Sequence, residues 1–339
     1  MVLGIDNGNY PLHPAANLQK AESVSSALHL SGWRYRAVVL SVVCSAIGYL
    51  GFSLWGGWED VTNAVAKVGT LGVAIALAMS LFNYILRFLR WQRYLGAFGH
   101  AVPWKDSMQI YLAGFALTTT PGKAGEALRG VLLKRWAVPY PQSFAAFFSE
   151  RLSDLFAVVL LTLFGLTLYP DARPMIVVGG LLVIFGFVLL SQGAMLKRLG
   201  ELIPAQGGRV LGLLKRAFDV MFEARRCHRV GMIISATFLS VVAWGAEALA
   251  FHLILHWMGM ELSLTFSVFV YALAMLAGAL SFMPGGLGGA EAVMVVLLVW
   301  KGMANADAVA ATVLIRLATL WFAVAIGAFM LLRSERGMA

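Results

Sequence analysis

The chain has 339 residues, 60% hydrophobic and 13% charged, with a formal net charge of +9 and a mean hydropathy of +0.79. A soluble domain carries about 25% charged residues, whereas several stretches here run 18 or more residues without a charge, so the sequence reads as a polytopic helical membrane protein. The positive charge forms no basic stripe interleaved with exposed aromatics, which argues against nucleic acid as a partner.

Residues 1–34 are polar, contain Pro11 and Pro14, and read as a tail with a short surface helix near residues 15–30. They lack the basic and apolar regions of a signal peptide. Residues 37–56 and 68–86 are the first two expected spans. A basic, aromatic turn follows, with Trp91 and Tyr94 suited to the membrane interface. Residues 107–121 form a short apolar leg that breaks at "TTTPGKAGE", and residues 124–136 return. Spans are expected at 143–169, 174–192 and 230–257, with a basic amphipathic loop at 193–229. Residues 262–283 form another apolar leg, broken at "MPGGLGG" and resumed at 290–300; residues 306–332 are the last span.

Each broken segment returns the chain to the side it came from. The fold expectation is therefore all-α, with six full transmembrane helices and two broken or re-entrant hairpins. Basic residues sort accordingly. On this layout 19 of the 26 Lys and Arg residues, Arg87 and Arg90 among them, lie on the side of both termini, and only Lys67, Arg173 and Lys301 lie opposite. Lys123, Arg129, Arg151 and Arg316 fall within the membrane. The positive-inside rule then places both termini in the cytoplasm of a plasma (inner) membrane protein, with loop 193–229 on a leaflet of anionic lipids.

The two broken segments repeat each other. "PGKAGEALRG…SERLSDLF" matches "PGGLGGAEAV…LIRLATLW": Glu126 precedes Arg151 by 25 residues, and Glu291 precedes Arg316 by 25. The halves run from about 105 to 170 and from 262 to 332. Three spans separate the hairpins, so the copies are inverted, which is the sequence pointer to alternating access around a midplane site.

Charges inside a membrane cost at least roughly 2.5–3.5 kcal/mol each at the centre, so they are paired or functional. The expected pairs are Glu126–Arg151 and Glu291–Arg316, with Glu150 and Asp154 beside Arg151. The expected substrate-binding group is Thr118, Thr119, Lys123, Arg129, Arg151, Arg316 and Glu291, since arginine binds phosphate through a bidentate fork. Glu247 stands alone on its span and is the candidate proton-coupling group. Cys44 and Cys227 offer no metal spacing and no disulfide. The six histidines give no metal-ligand pattern; His252 and His256 share a helical face, which reads as interfacial packing. No cofactor, metal or catalytic residue is expected.

"PGKAGEALRG", "SERLSDL" and "MPGGLGGAE" together resemble the lysylphosphatidylglycerol synthase transmembrane family, also called the flippase-like domain family. The resemblance covers nearly all of residues 35–333. It implies an inverted-repeat core and lipid translocation, and it does not fix the lipid. The synthases carry a soluble aminoacyl-transferase domain after the membrane part; here only six residues follow Arg333, and no such domain is expected. Lys123 stands where arginine is common in the family, which keeps the charge but not the fork.

The leading functional expectation is a translocator, not an enzyme, for a polar-headgroup, phosphate-bearing lipid. The sequence has no P-loop motif for ATP. Two rivals remain at this point: an integral-membrane enzyme acting on a lipid phosphate or polyprenyl carrier, and a non-transporting subunit that binds lipid beside a lipid-synthesis enzyme.

Overall fold

The computed structural model describes residues 58–119, 129–165, 173–203, 208–281 and 283–336, with Gly51 and Asp171. The expected span 37–56 (Gly51 apart), the hairpin tip with Lys123 and Glu126, and the surface helix near 15–30 lie outside them. Every regular element among the described residues is helical: α1 (Trp58–Ala97), α2 (Trp104–Ala113), α3 (Arg129–Leu133), α4 (Tyr140–Thr162), α5 (Arg173–Ser191), α6 (Gly193–Leu202), α7 (Arg209–Ala224), α8 (Val230–Trp257), α9 (Leu264–Leu280), α10 (Gly289–Trp300), α11 (Asn305–Arg316) and α12 (Phe322–Arg336), with short 3-10 turns between several of them. A five-residue π-helical stretch, Leu317–Trp321, joins α11 to α12.

Among the described residues four helices are long and apolar enough to cross a membrane: Glu59–Ala97, Arg173–Leu190, Val230–Trp257 and Asn305–Leu331. α4, at 23 residues, is also about 35 Å long, but it carries Glu150, Arg151 and Asp154 through its middle. The hairpin legs are shorter. α2 has 10 residues and runs on into the 3-10 turn Gly114–Leu117, while α9 has 17 and α10 has 12, so the legs rise about 23, 26 and 18 Å against a hydrocarbon core of about 30 Å. The leg read as 262–283 thus ends earlier than its apolar run, because Ser281 and the glycines after it stop the helix.

The repeat is wider than the motifs that revealed it. α1 ends at Gly99 (φ +85) with His100 N–H bonded to the Leu95 carbonyl; α8 ends at Gly259 (φ +89) with Met260 N–H bonded to Leu255. The return legs close in the same way, at Ala137 (φ +57) with Val138 to Leu133, and at Gly302 (φ +92) with Met303 to Leu298. These are left-handed helix caps that satisfy carbonyls the helix leaves open. The halves also exchange partners. α4, which follows the first hairpin, packs on α8 and α9 of the second half; α11 packs on α1, and α12 packs on α2 of the first. α1 and α8 lie against each other, where Gly72 leaves room for the Trp257 ring.

α7 buries Ala224 and half-buries Val220 and Met221 against the core, while Val210, Leu211, Leu213 and Leu214 are exposed.

Candidate functional site

Glu291 sits in the first turn of α10. Its Oε2 accepts the Gly288 N–H at 2.7 Å, and its Oε1 accepts Arg316 Nε at 2.6 Å. The same guanidinium donates to the Gly285 carbonyl at 2.8 Å. A helix broken at Pro284–Gly286 exposes backbone groups that lipid cannot satisfy, and one carboxylate–arginine pair takes up two of them. Gly285 (φ +64) and Gly286 (φ +70) make the turn possible, and a Cβ on Gly286 would fall 3.0 Å from the Gly278 Cα.

The other half is held by a larger cluster. Asp154 accepts from Arg90 at 2.7 Å, Arg151 at 3.1 Å and Arg87 at 3.3 Å, and from Trp244 Nε1 at 3.2 Å. Glu150 pairs with Arg129 at 2.8 Å and lies 3.8 Å from Arg90. Arg90 also donates to Ser240. Arg129 is stacked between Trp91 and Tyr111, its guanidinium 4.6 and 4.9 Å from the ring centroids. Among the described residues four arginines converge on these two carboxylates.

Four assignments made from sequence are corrected here. Arg87 and Arg90 are not cytoplasmic-surface cations: they are buried, because α1 runs on to Ala97 and its basic face meets the carboxylates of α4. Trp91 and Tyr94 are fully buried rather than interfacial; Trp91 stacks on Arg129, and Tyr94 shares a hydrogen bond with Ser153.

A cavity of ≈ 340 Å³ lies between α1, α4, α8, α9 and α11, with Phe115 and Thr118 after α2 and the break at Gly285–Gly286 also on its wall. Thr118, Arg151 and Arg316 line it, together with four residues that the sequence did not assign to the site, Tyr84, Arg87, Trp244 and Tyr271. Asp154 and Glu247 also line it, and Glu247 accepts the Tyr271 hydroxyl at 2.6 Å. Thr119 and Arg129 are buried outside the lining, and Glu291 stands behind Arg316. Leu182 and Met283, both exposed, carry the cavity rim out to the apolar surface between α5 and the second hairpin.

The site is built on the repeat. Tyr84 on α1 donates to the Thr319 carbonyl in the helix after the second hairpin. Trp244, its counterpart on α8, donates to Asp154, the counterpart of Thr319 in the helix after the first. Three residues further on, the counterparts differ in sign: Arg87 on α1 and Glu247 on α8 both line the cavity. The missed residues had a faint signal, since Tyr84–Arg87 and Trp244–Glu247 share a spacing of three on helices with matched ends.

Residues 37–327 match the family model of the lysylphosphatidylglycerol synthase TM region. The chain belongs to this family. Its relatives include a UPF0104 membrane protein of Methanothermobacter thermautotrophicus, 24% identical, with 87% of this chain aligned to 94% of that one. Another is a UPF0104 membrane protein of Pyrococcus horikoshii, 23% identical over 83% of this chain and 92% of its own. An uncharacterised protein of Synechocystis is 28% identical over 83% and 86%. Family membership and several long apolar helices make this a multi-pass membrane protein.

Proposed function

We propose that this family member moves a polar-headgroup, phosphate-bearing lipid between the leaflets of the plasma (inner) membrane, with both termini cytoplasmic. The observation that carries the reading is the cavity between two broken hairpins, with Arg87, Arg151 and Arg316 on its wall and an apolar rim open to the side. The headgroup occupies the polar chamber while its acyl chains stay in the bilayer along Leu182 and Met283. Arginine attracts phosphate strongly where water is scarce. Arg151 is the most accessible of the three, its side chain 22% exposed, and it makes the first contact; Arg316 receives the phosphate from the other half.

The inverted repeat supplies two alternative closures. Opening one hairpin against α4, or the other against α11, exposes the same cations to one leaflet or the other. Glu247 is the group that can take up a proton beside Tyr271, which couples the cycle to a gradient.

Reconstitution into proteoliposomes with a fluorescent phosphatidylglycerol tests this. Wild type should equilibrate the probe between leaflets, and Arg151→Gln should lower the rate at least tenfold while leaving thermal stability near wild type. Chemical conversion of the probe would instead support an enzyme on a lipid phosphate. Retention of lipid with no translocation would support a lipid-binding subunit of a synthesis complex.

A further inference from the structure

A second polar recess lies away from the central cavity. It forms where the end of α5 meets α7, the 3-10 turn Arg225–His228 and the start of α8. It encloses ≈ 500 Å³. Arg225, Arg226 and Arg229 line it together with the apolar side chains of Phe187, Leu190 and Ile233. Among the described residues no acidic side chain contributes to its wall. We propose that this recess is a resident site for the phosphate of an anionic phospholipid, distinct from any lipid in the central cavity.

The cations are held in different ways. Arg225 donates its Nε to the Leu190 carbonyl at 3.2 Å, and its guanidinium lies 5.5 Å from the Phe222 ring centroid. It also lies over Gly193, where a Cβ would sit 1.8 Å from its Cζ. Arg225 is thus a fixed floor to the recess. Arg226 and Arg229 are exposed, and Arg226 makes one long contact to Glu223 at 3.5 Å. They are free to close over a bound group. The 28-residue α8 begins here without a side-chain cap, so its N-terminal partial charge adds to that of the arginines.

The apolar wall decides which anion fits. A free phosphate or a soluble metabolite gains nothing from Phe187, Leu190 and Ile233, whereas an acyl chain does. Val230 and Ile234 are exposed near the start of α8, and the exposed leucines of α7 lie on the preceding helix. Basic recesses between helices at a membrane face are suited to acidic lipid headgroups.

The test uses the full chain in detergent, with dioleoylphosphatidylglycerol as the probe and occupancy read by native mass spectrometry. Binding is read on protein that need not translocate, so the result is separable from the transport reading. The double variant Arg226→Gln/Arg229→Gln should lower apparent affinity about tenfold or more, from roughly a few-fold for each basic group near a lipid surface. Lys215→Gln/Arg216→Gln removes the same charge from α7 outside the recess and should change affinity less than twofold. Ile233→Trp keeps all the charge, blocks the apolar wall and should also weaken binding, which decides the matter if the double variant folds poorly. Equal losses in the two double variants would overturn the proposal in favour of diffuse surface attraction. Competition by glycerol phosphate as effective as by the intact lipid would overturn it in favour of a soluble-anion site.

Discussion

Arg316 follows Glu291 by 25 residues and meets it at 2.6 Å, with both side chains almost wholly buried. The pair bolts the second break to α11, because Arg316 also holds the Gly285 carbonyl and Glu291 also holds the Gly288 N–H. Removing either partner strands the other charge in low dielectric, which costs about 3–5 kcal/mol. Glu291→Ala and Arg316→Ala should each lower the detergent melting temperature sharply, and the exchanged double Glu291→Arg/Arg316→Glu should recover part of the loss. Wild-type melting in either single variant would refute the structural role.

Asp154 is the common acceptor for Arg87, Arg90, Arg151 and Trp244. Asp154→Asn keeps the shape and removes the charge that all three arginines share. It should destabilise the fold by about 3–5 kcal/mol, more than Asp106→Asn, whose only ion pair among the described residues is a 4.0 Å surface contact with Arg135. Comparing the two variants by thermal denaturation measures the difference.

Gly327 lies where α12 crosses the first hairpin. A Cβ there would fall 2.1 Å from the Ala116 nitrogen and 2.6 Å from the Phe115 carbonyl carbon, backbone atoms that no rotamer change can clear. Gly327→Ala should cost about 3 kcal/mol, at the upper end of overpacking penalties. Gly180→Ala, with nothing within 4 Å of the added carbon, is the matched control and should be neutral or slightly stabilising. Similar melting temperatures for the two would mean that α12 does not pack as described.

Cys227 is 1% exposed, and burial pushes its thiol up to about 12. At pH 8 the thiolate, which is the reactive form, is then scarce as well as hidden. In a Cys44→Ser background the native protein should resist maleimide and label fully in denaturant. Rapid labelling of the folded protein would show that the turn at Arg225–His228 opens.

Orientation is tested by reporters placed on exposed residues. A cysteine at Lys301 should react with an impermeant reagent applied to intact cells, and one at Arg216 should react only after lysis, the background being Cys44→Ser/Cys227→Ser. The basis is the segregation of lysine and arginine to the side that holds the termini. The reverse pattern would invert the topology.

Apolar run length and the spacing of Pro-Gly, glutamate and arginine were enough to identify a helical membrane protein and to single out Glu291 with Arg316. That information is local: a run of 20 apolar residues has one stable disposition in a bilayer, and a glycine-rich break beside a carboxylate marks backbone that must be satisfied nearby. The partners of Arg87, Arg90 and Arg129 were not legible. Arg87 and Arg90 precede Asp154 by more than sixty residues, and their neighbours Trp91 and Tyr94 have the composition of an interfacial turn. Only the packing of α1 against α4 and α8 buries that face, placing Arg87 on the wall of a cavity and Arg90 beneath it on Asp154. The pairing of Arg87 with Glu247 as counterparts across the repeat was likewise decided by tertiary structure, since equivalence between halves that carry opposite charges depends on matched helix ends and exchanged packing, which residue identity does not record.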